Sequence, residues 1–163
     1  MAVSFSEAPE VQEIAEKLIE EYHDHLKQAR IKYLFRSGNW TAGCKTIWAK
    51  ATKLSAQQTY LTGFDFVITV NRDIWAKLTV EAREALVDHE LSHCSCDYDP
   101  LGRPIWRTQG HEVEDFADVI RRHGLWSVEL EALMRAAEEY RQLALFEDRR
   151  VELRPTGTNG RMS

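Results

Sequence analysis

His89 and His93 lie four residues apart in a stretch whose pattern is helical, and that spacing constrains this chain more than any other feature. Positions four apart on an α-helix share a face, so both imidazoles can grip one divalent cation. Glu90, one step round the turn, then reaches a water on that cation. The run His89-Glu90-Leu91-Ser92-His93 thus places two ligands and a general base on one short piece of helix. The demand on the fold is specific: these residues must be helical, and some later residue must complete the site.

The pattern around the run predicts an α+β order. Val11, Ile14, Ala15, Leu18, Ile19, Tyr22 and Leu26 form one apolar stripe, which predicts a helix from about Pro9 to Ala29. Three strand-like runs follow: Ile31 to Phe35, Gly43 to Ala51, and Phe64 to Val70, the last apolar almost throughout as for a strand covered on both faces. Thr79 reads as the N-cap of a helix reaching about Cys96. On it Ala82, Ala85, Leu86, His89, His93 and Cys96 share a face expected to point inward, with Arg83, Glu84, Asp88 and Ser92 outside it. Asp99-Pro100-Leu101-Gly102 reads as a turn and as the tip of a small hairpin. A helix from about His111 to His123 stops at Gly124, and Ser127 caps a last helix. The expected fold is a small α+β domain: an N-terminal helix on a three-stranded sheet, then the motif helix and two C-terminal helices.

Residues 1–153 read as a single domain, and residues 154–163, rich in Gly, Thr and Arg, as a disordered tail. A chain of 163 residues can bury a real core, and its formal charge of −5 disfavours a protein that coats nucleic acid. No apolar run is long enough to span a bilayer, and Met1 to Glu7 lacks the basic start and apolar centre of a secretion signal. Cys44, Cys94 and Cys96 are odd in number and have no framework spacing, which suits a reducing cytoplasm.

A catalytic zinc site takes three protein ligands and keeps a fourth position for water. The spacing H-E-x-x-H, that of zinc peptidases, supplies two of them. His111, 18 residues after His93 across a turn-rich loop, is the first candidate for the third. Glu112, Glu114, Asp115 and Asp118 crowd the same segment and could serve instead, or could orient the ligating histidines. Cys96 is disfavoured, because three ligands from one straight helix are strung along its axis. The chemistry implied is peptide-bond hydrolysis, with Glu90 taking a proton from a metal-activated water and returning it to the leaving amine. Arg121, Arg122 and Tyr60 are candidate oxyanion donors.

Three segments carry a family resemblance: His89 to Cys94, Asp97 to Pro104, and Gly110 to Phe116 with Arg121 to Trp126. Together they resemble the phage metallopeptidase family and, more distantly, are similar to SprT-like and other small zincins. The resemblance covers roughly Ile31 to Trp126. It implies a compact zincin domain with zinc on His89, His93 and His111, Glu90 as catalytic base, and expression in the cytoplasm of an infected bacterium. It delivers no substrate.

Plainer readings compete at each position. His89 and His93 could be ordinary histidines bonded to backbone, but Glu90 between them and the order of elements argue otherwise. His111 could be an ordinary residue at a helix start. His23, His25 and His123 read as solvated helix positions, the cysteines as small buried residues, and the five tryptophans as packing rather than a base-stacking platform. The leading function is a zinc-dependent endopeptidase acting on a protein or peptide, which such enzymes align along an exposed sheet edge. The alternative is a zinc-stabilised, catalytically silent binding protein that inhibits or modulates a host factor. A DNA-associated role, by analogy with SprT-like proteases, is disfavoured by the acidic balance.

Overall fold

In the computed structural model, which describes residues 2–114 and 116–152, the described chain clusters into two units that divide after Gly110. The first unit begins with β1 (Ser4–Glu7), α1 (Pro9–Tyr22), a 3-10 turn (Asp24–Leu26), β2 (Ile31–Ser37), β3 (Thr41–Ala42), β4 (Lys45–Thr46) and β5 (Ala49–Lys53). It continues with α2 (Ala56–Thr62), β6 (Phe66–Asn71), α3 (Arg72–Lys77), α4 (Val80–Ser92), β7 (Cys94–Tyr98) and β8 (Pro104–Thr108). The second unit holds α5 (Ala117–His123) and α6 (Val128–Glu152). The fold is α+β, with six helices and mixed sheets among the described residues.

The main sheet has four strands in the order β1-β2-β6-β5, not the three expected. The additional strand, β1, is Ser-Phe-Ser-Glu and exposed along its length, so no burial pattern announces it. Backbone pairing alone makes it a strand, with Ser6 opposite Phe35 on the antiparallel edge of β2. β2 and β6 are parallel, and β5 closes the other edge antiparallel to β6.

Register decides which side is the core. Tyr33 and Phe35 lie beside Ile68 and Val70, and Ala51 lies across from Ile68, so these side chains share a face. Val11 and Ala15 of α1, Leu26, and Val87 and Leu91 of α4 cover that face. The expectation that β6 is covered on both sides does not hold, because Val67 and Thr69 on the opposite face are only half-buried. Their β-branched side chains fit an open pleated surface as well as a closed one.

Several boundaries move for local reasons. α1 stops at Tyr22, not Ala29, because the backbone turns at His23 (φ −125°, ψ 52°) into the 3-10 turn that buries Leu26. The run from Gly43 to Ala51 is not one strand: Gly43, at φ 60°, turns the short β3–β4 hairpin, and the strand starts at Ala49. α4 begins as read, with Thr79 Oγ1 accepting from Ala82 N at 3.2 Å, but it ends at Ser92. From Cys94 the chain pairs instead in the β7–β8 hairpin, whose tip is the expected Asp99–Gly102 turn.

In the second unit α5 begins at Ala117, not His111, and stops at Gly124, while Ser127 Oγ accepts from Leu130 N at 3.2 Å. The expected tail, residues 154–163, lies outside the described residues. No described helix is long and apolar enough to cross a membrane.

If one face of β6 carries the core, neighbouring truncations must differ. Phe66→Ala should cost about 3–5 kcal/mol and Val67→Ala about 1 kcal/mol in urea unfolding. Equal losses would mean that both faces are covered after all.

Candidate metal centre

α4 presents two unlike faces. Val87, Glu90 and Leu91 are its buried residues, and Cys94 follows just beyond its end at 0% exposure. Arg83, expected outside the packed stripe, is half-buried: its Nε donates to Trp75 O at 3.1 Å and its guanidinium lies over the Trp75 ring. Ala82, Ala85, Leu86 and His89 do share a face, as read, but that face lines a cleft, and of the four Leu86, half-buried, also packs against the core. Ile47, Trp48 and Ala49, leading into β5, form the opposite wall of this cleft of about 530 Å³, which His89 and Glu90 also line. His89 is therefore exposed and His93 half-buried, whereas Glu90 is only 5% exposed.

The two rings face each other. His89 Nε2 and His93 Nε2 are 3.3 Å apart, with the ring planes at 81°. Two nitrogens bound to one tetrahedral zinc at about 2.0–2.1 Å stand about 3.3–3.4 Å apart, so the pair matches that requirement. His93 Nδ1 lies 2.7 Å from Gln109 O. A carbonyl can only accept, so Nδ1 donates and Nε2 carries the lone pair, the tautomer a metal ligand needs. His89 sits in the last turn of α4 and His93 is its C-cap. The negative end of the helix dipole favours a cation there.

The hairpin fixes what comes next to this pair. Cys94 pairs with Thr108, so the residues just outside that rung, His93 and Gln109, are also brought together. Gln109 N donates to His93 O at 2.8 Å and Gln109 Nε2 to Ser92 O at 2.6 Å. His111 follows two residues later, within about 7 Å of chain. Among the described residues, His89, His93 and His111 form the group that could hold a metal ion, each offering one ligand atom, all within 4.8 Å of one another.

Glu112, Glu114 and Asp118 are not in that group, and Asp115 lies outside the described residues. Glu114 Oε1 stands 3.5 Å from His111 Nδ1, both side chains being exposed. Cys96 and Cys94 are also not in the group. Burial, reinforced by the Glu90 carboxylate, pushes the Cys94 thiol up to about 12, so it stays a neutral packing group. Of the suggested oxyanion donors, Tyr60 is 89% exposed on α2 and does not line the cleft, and Arg121 is paired with Asp118 at 2.6 Å.

Of the histidines expected to be solvated, His23 is buried, whereas His25 is exposed as expected but still bonded to backbone. His23, the C-cap of α1, is 8% exposed, with Nε2 2.6 Å from Asp88 Oδ1. His25 Nε2 lies 3.0 Å from Cys94 O. These contacts hold α4 just before the motif and the start of β7 just after it, and they span 65 and 69 residues of sequence. No local pattern carries them; the only signal is a cluster of imidazoles at the end of an amphipathic helix.

His23→Ala should lower the unfolding free energy of metal-free protein by about 1–3 kcal/mol, because it strips the partner from Asp88. The exposed His123→Ala should change it by less than about 0.5 kcal/mol. Similar small effects in both, measured in urea, would remove His23 from the frame of the site.

A family model described as "Putative phage metallopeptidase" matches residues 3–138 of the chain. No curated protein and no solved structure matches. The matched span contains the motif helix, the hairpin and His111, and the chain belongs to this phage metallopeptidase family.

Proposed function

We propose that the protein is a zinc-dependent endopeptidase that hydrolyses peptide bonds, with Glu90 as general base and His89, His93 and His111 as ligands. The observation that carries this reading is the 3.3 Å approach of the two Nε2 atoms, with Glu90, 5% exposed, lining the same cleft as His89. An all-imidazole set suits zinc and leaves one tetrahedral corner for water or substrate. Zinc, when bound, supplies Lewis acidity that polarises a carbonyl and brings the pKa of a water to about 7.

The residues of the chain have separate tasks. Glu90, shielded on the seam between core and cleft, takes the proton of the attacking water and delivers it to the leaving nitrogen. Gln109 holds the His93 ring in its tautomer through its backbone oxygen, and Glu114 stands by His111 in the same capacity. β5 is an edge strand of the main sheet, and Ala49 at its start lines the cleft. A peptide aligned along that edge by main-chain hydrogen bonds would pass beside Glu90.

The family match runs across Gly110, which supports residues 1–153 acting as one functional domain. Free Cys44, Cys94 and Cys96 support a reducing cytoplasm as its location, that of the host bacterium.

Elemental analysis of wild type, Glu90→Gln and His111→Ala tests the proposal. About one zinc per chain is expected in the first two and well below that in His111→Ala. Proteolysis of an unfolded protein substrate should fall about 10²–10⁴-fold in Glu90→Gln. Zinc absent from the wild type would defeat the proposal, and a biological effect retained in Glu90→Gln would favour the silent binding protein.

A further inference from the structure

The cleft beside Glu90 is lined mainly by apolar side chains. The face of α4 turned to it carries Ala82, Ala85 and Leu86, while the indole of Trp48 stands across from them at 48% exposure. A solvent-facing helix stripe ordinarily carries charged residues, yet among the described residues no Lys or Arg lines this space, and the ionisable lining groups are His89 and Glu90. At about 530 Å³ it falls within the range of small-ligand sites and exceeds what a packing defect leaves. The two alanines set its depth, since leucine at either position would fill part of it. Glu90 and His89 lie at the C-terminal end of the same wall, so whatever enters is adjacent to the reacting groups.

We infer that this cleft is the specificity pocket of the enzyme, and that it receives a large apolar side chain next to the bond to be cut. This rests on the hydrolytic reading above. Leu, Met or Phe would bury its surface against Trp48 and Leu86. A charged side chain would lose water there without gaining a partner on either wall other than the catalytic groups. Ala85 and Ala82 determine how large a side chain fits, and Trp48 determines how firmly the pocket closes on it.

The test is a digest of a proteome-derived peptide library by the zinc-loaded full chain, with cleavage sites read by mass spectrometry and zinc content measured for each variant. Large apolar residues should be enriched, and charged residues depleted, at one position flanking the cut. Ala85→Leu should retain zinc, lower cleavage of Leu- and Phe-containing sites at least about tenfold, and shift the preference towards Ala and Ser. Trp48→Ala should retain zinc and flatten the preference. Cleavage without an apolar preference, or a preference that Ala85→Leu and Trp48→Ala leave unchanged, overturns the pocket while peptide hydrolysis stands. No cleavage by the zinc-loaded wild type overturns the hydrolytic reading, and this inference falls with it.

Discussion

A cation held by imidazoles requires nitrogen lone pairs to converge on one point, and an α-helix achieves this for two of them at almost no cost. The four-residue spacing of His89 and His93 brings their Nε2 atoms to 3.3 Å. A third group must come from elsewhere in the chain, and its position depends on what the chain does after the helix. Here α4 stops at Ser92 and the backbone enters a tight hairpin whose last rung pairs Cys94 with Thr108. The return strand therefore ends where the outgoing strand began. Gln109 is bonded to His93 through both its backbone N–H and its carbonyl, and only Gly110 stands between it and His111. The hairpin acts as a ruler. Its register sets where Gln109 stands beside His93. A slip of one residue would turn every hairpin side chain to the other face and carry Gln109 away from His93.

The same helix must also be anchored, and its two faces divide these tasks. Val87 and Leu91 are at 0% exposure against the sheet, and behind them His23 and His25 hold Asp88 and the Cys94 carbonyl. None of these groups is a ligand. They fix the axial position and rotation of α4, and the ligand geometry follows from that rotation. A helix held only by apolar packing can rotate slightly at little cost, whereas a 2.6 Å contact at Asp88 resists rotation directly.

The approach of the two motif imidazoles was legible in the sequence because it is local. His89, Glu90 and His93 need only helical periodicity, Thr79 and Ser127 need only a hydroxyl at a helix start, and Asp99 to Gly102 is a turn by composition. Even the capping box of α2, Ser55 with Gln58, was there to be read. What sequence misjudged depends on distant partners. Cys94 and Cys96 continue an apolar stripe and so extended α4 on paper, although a strand fourteen residues further along claims Cys94. β1 is a strand only because β2 is beside it. The roles of His23 and His25 are set by partners 65 and 69 residues away. The face with Ala82, Ala85 and Leu86 looked like core because periodicity reports apolar character, and apolar character alone cannot separate a face that is covered from a face that waits for a ligand.

That distinction explains the contrast in exposure within the motif. A ligand must be reached by an ion arriving from water, so His89 can remain exposed with little lost from solvation. A general base works best where bulk water does not compete for its hydrogen bonds, and Glu90 is 5% exposed. One helical step, about 100°, separates the two positions. It takes the chain from the open face of α4 to the seam where the core begins. On a helix packed this way, the order His-Glu puts the proposed ligand His89 on the wet side of the boundary and the proposed base Glu90 on the dry side. A carboxylate at position 92 would share the ligands' turn of helix but would sit where Ser92 is, exposed, with its hydroxyl bonded back to Asp88 O. The reach to a shared water would then be lost together with the shielding.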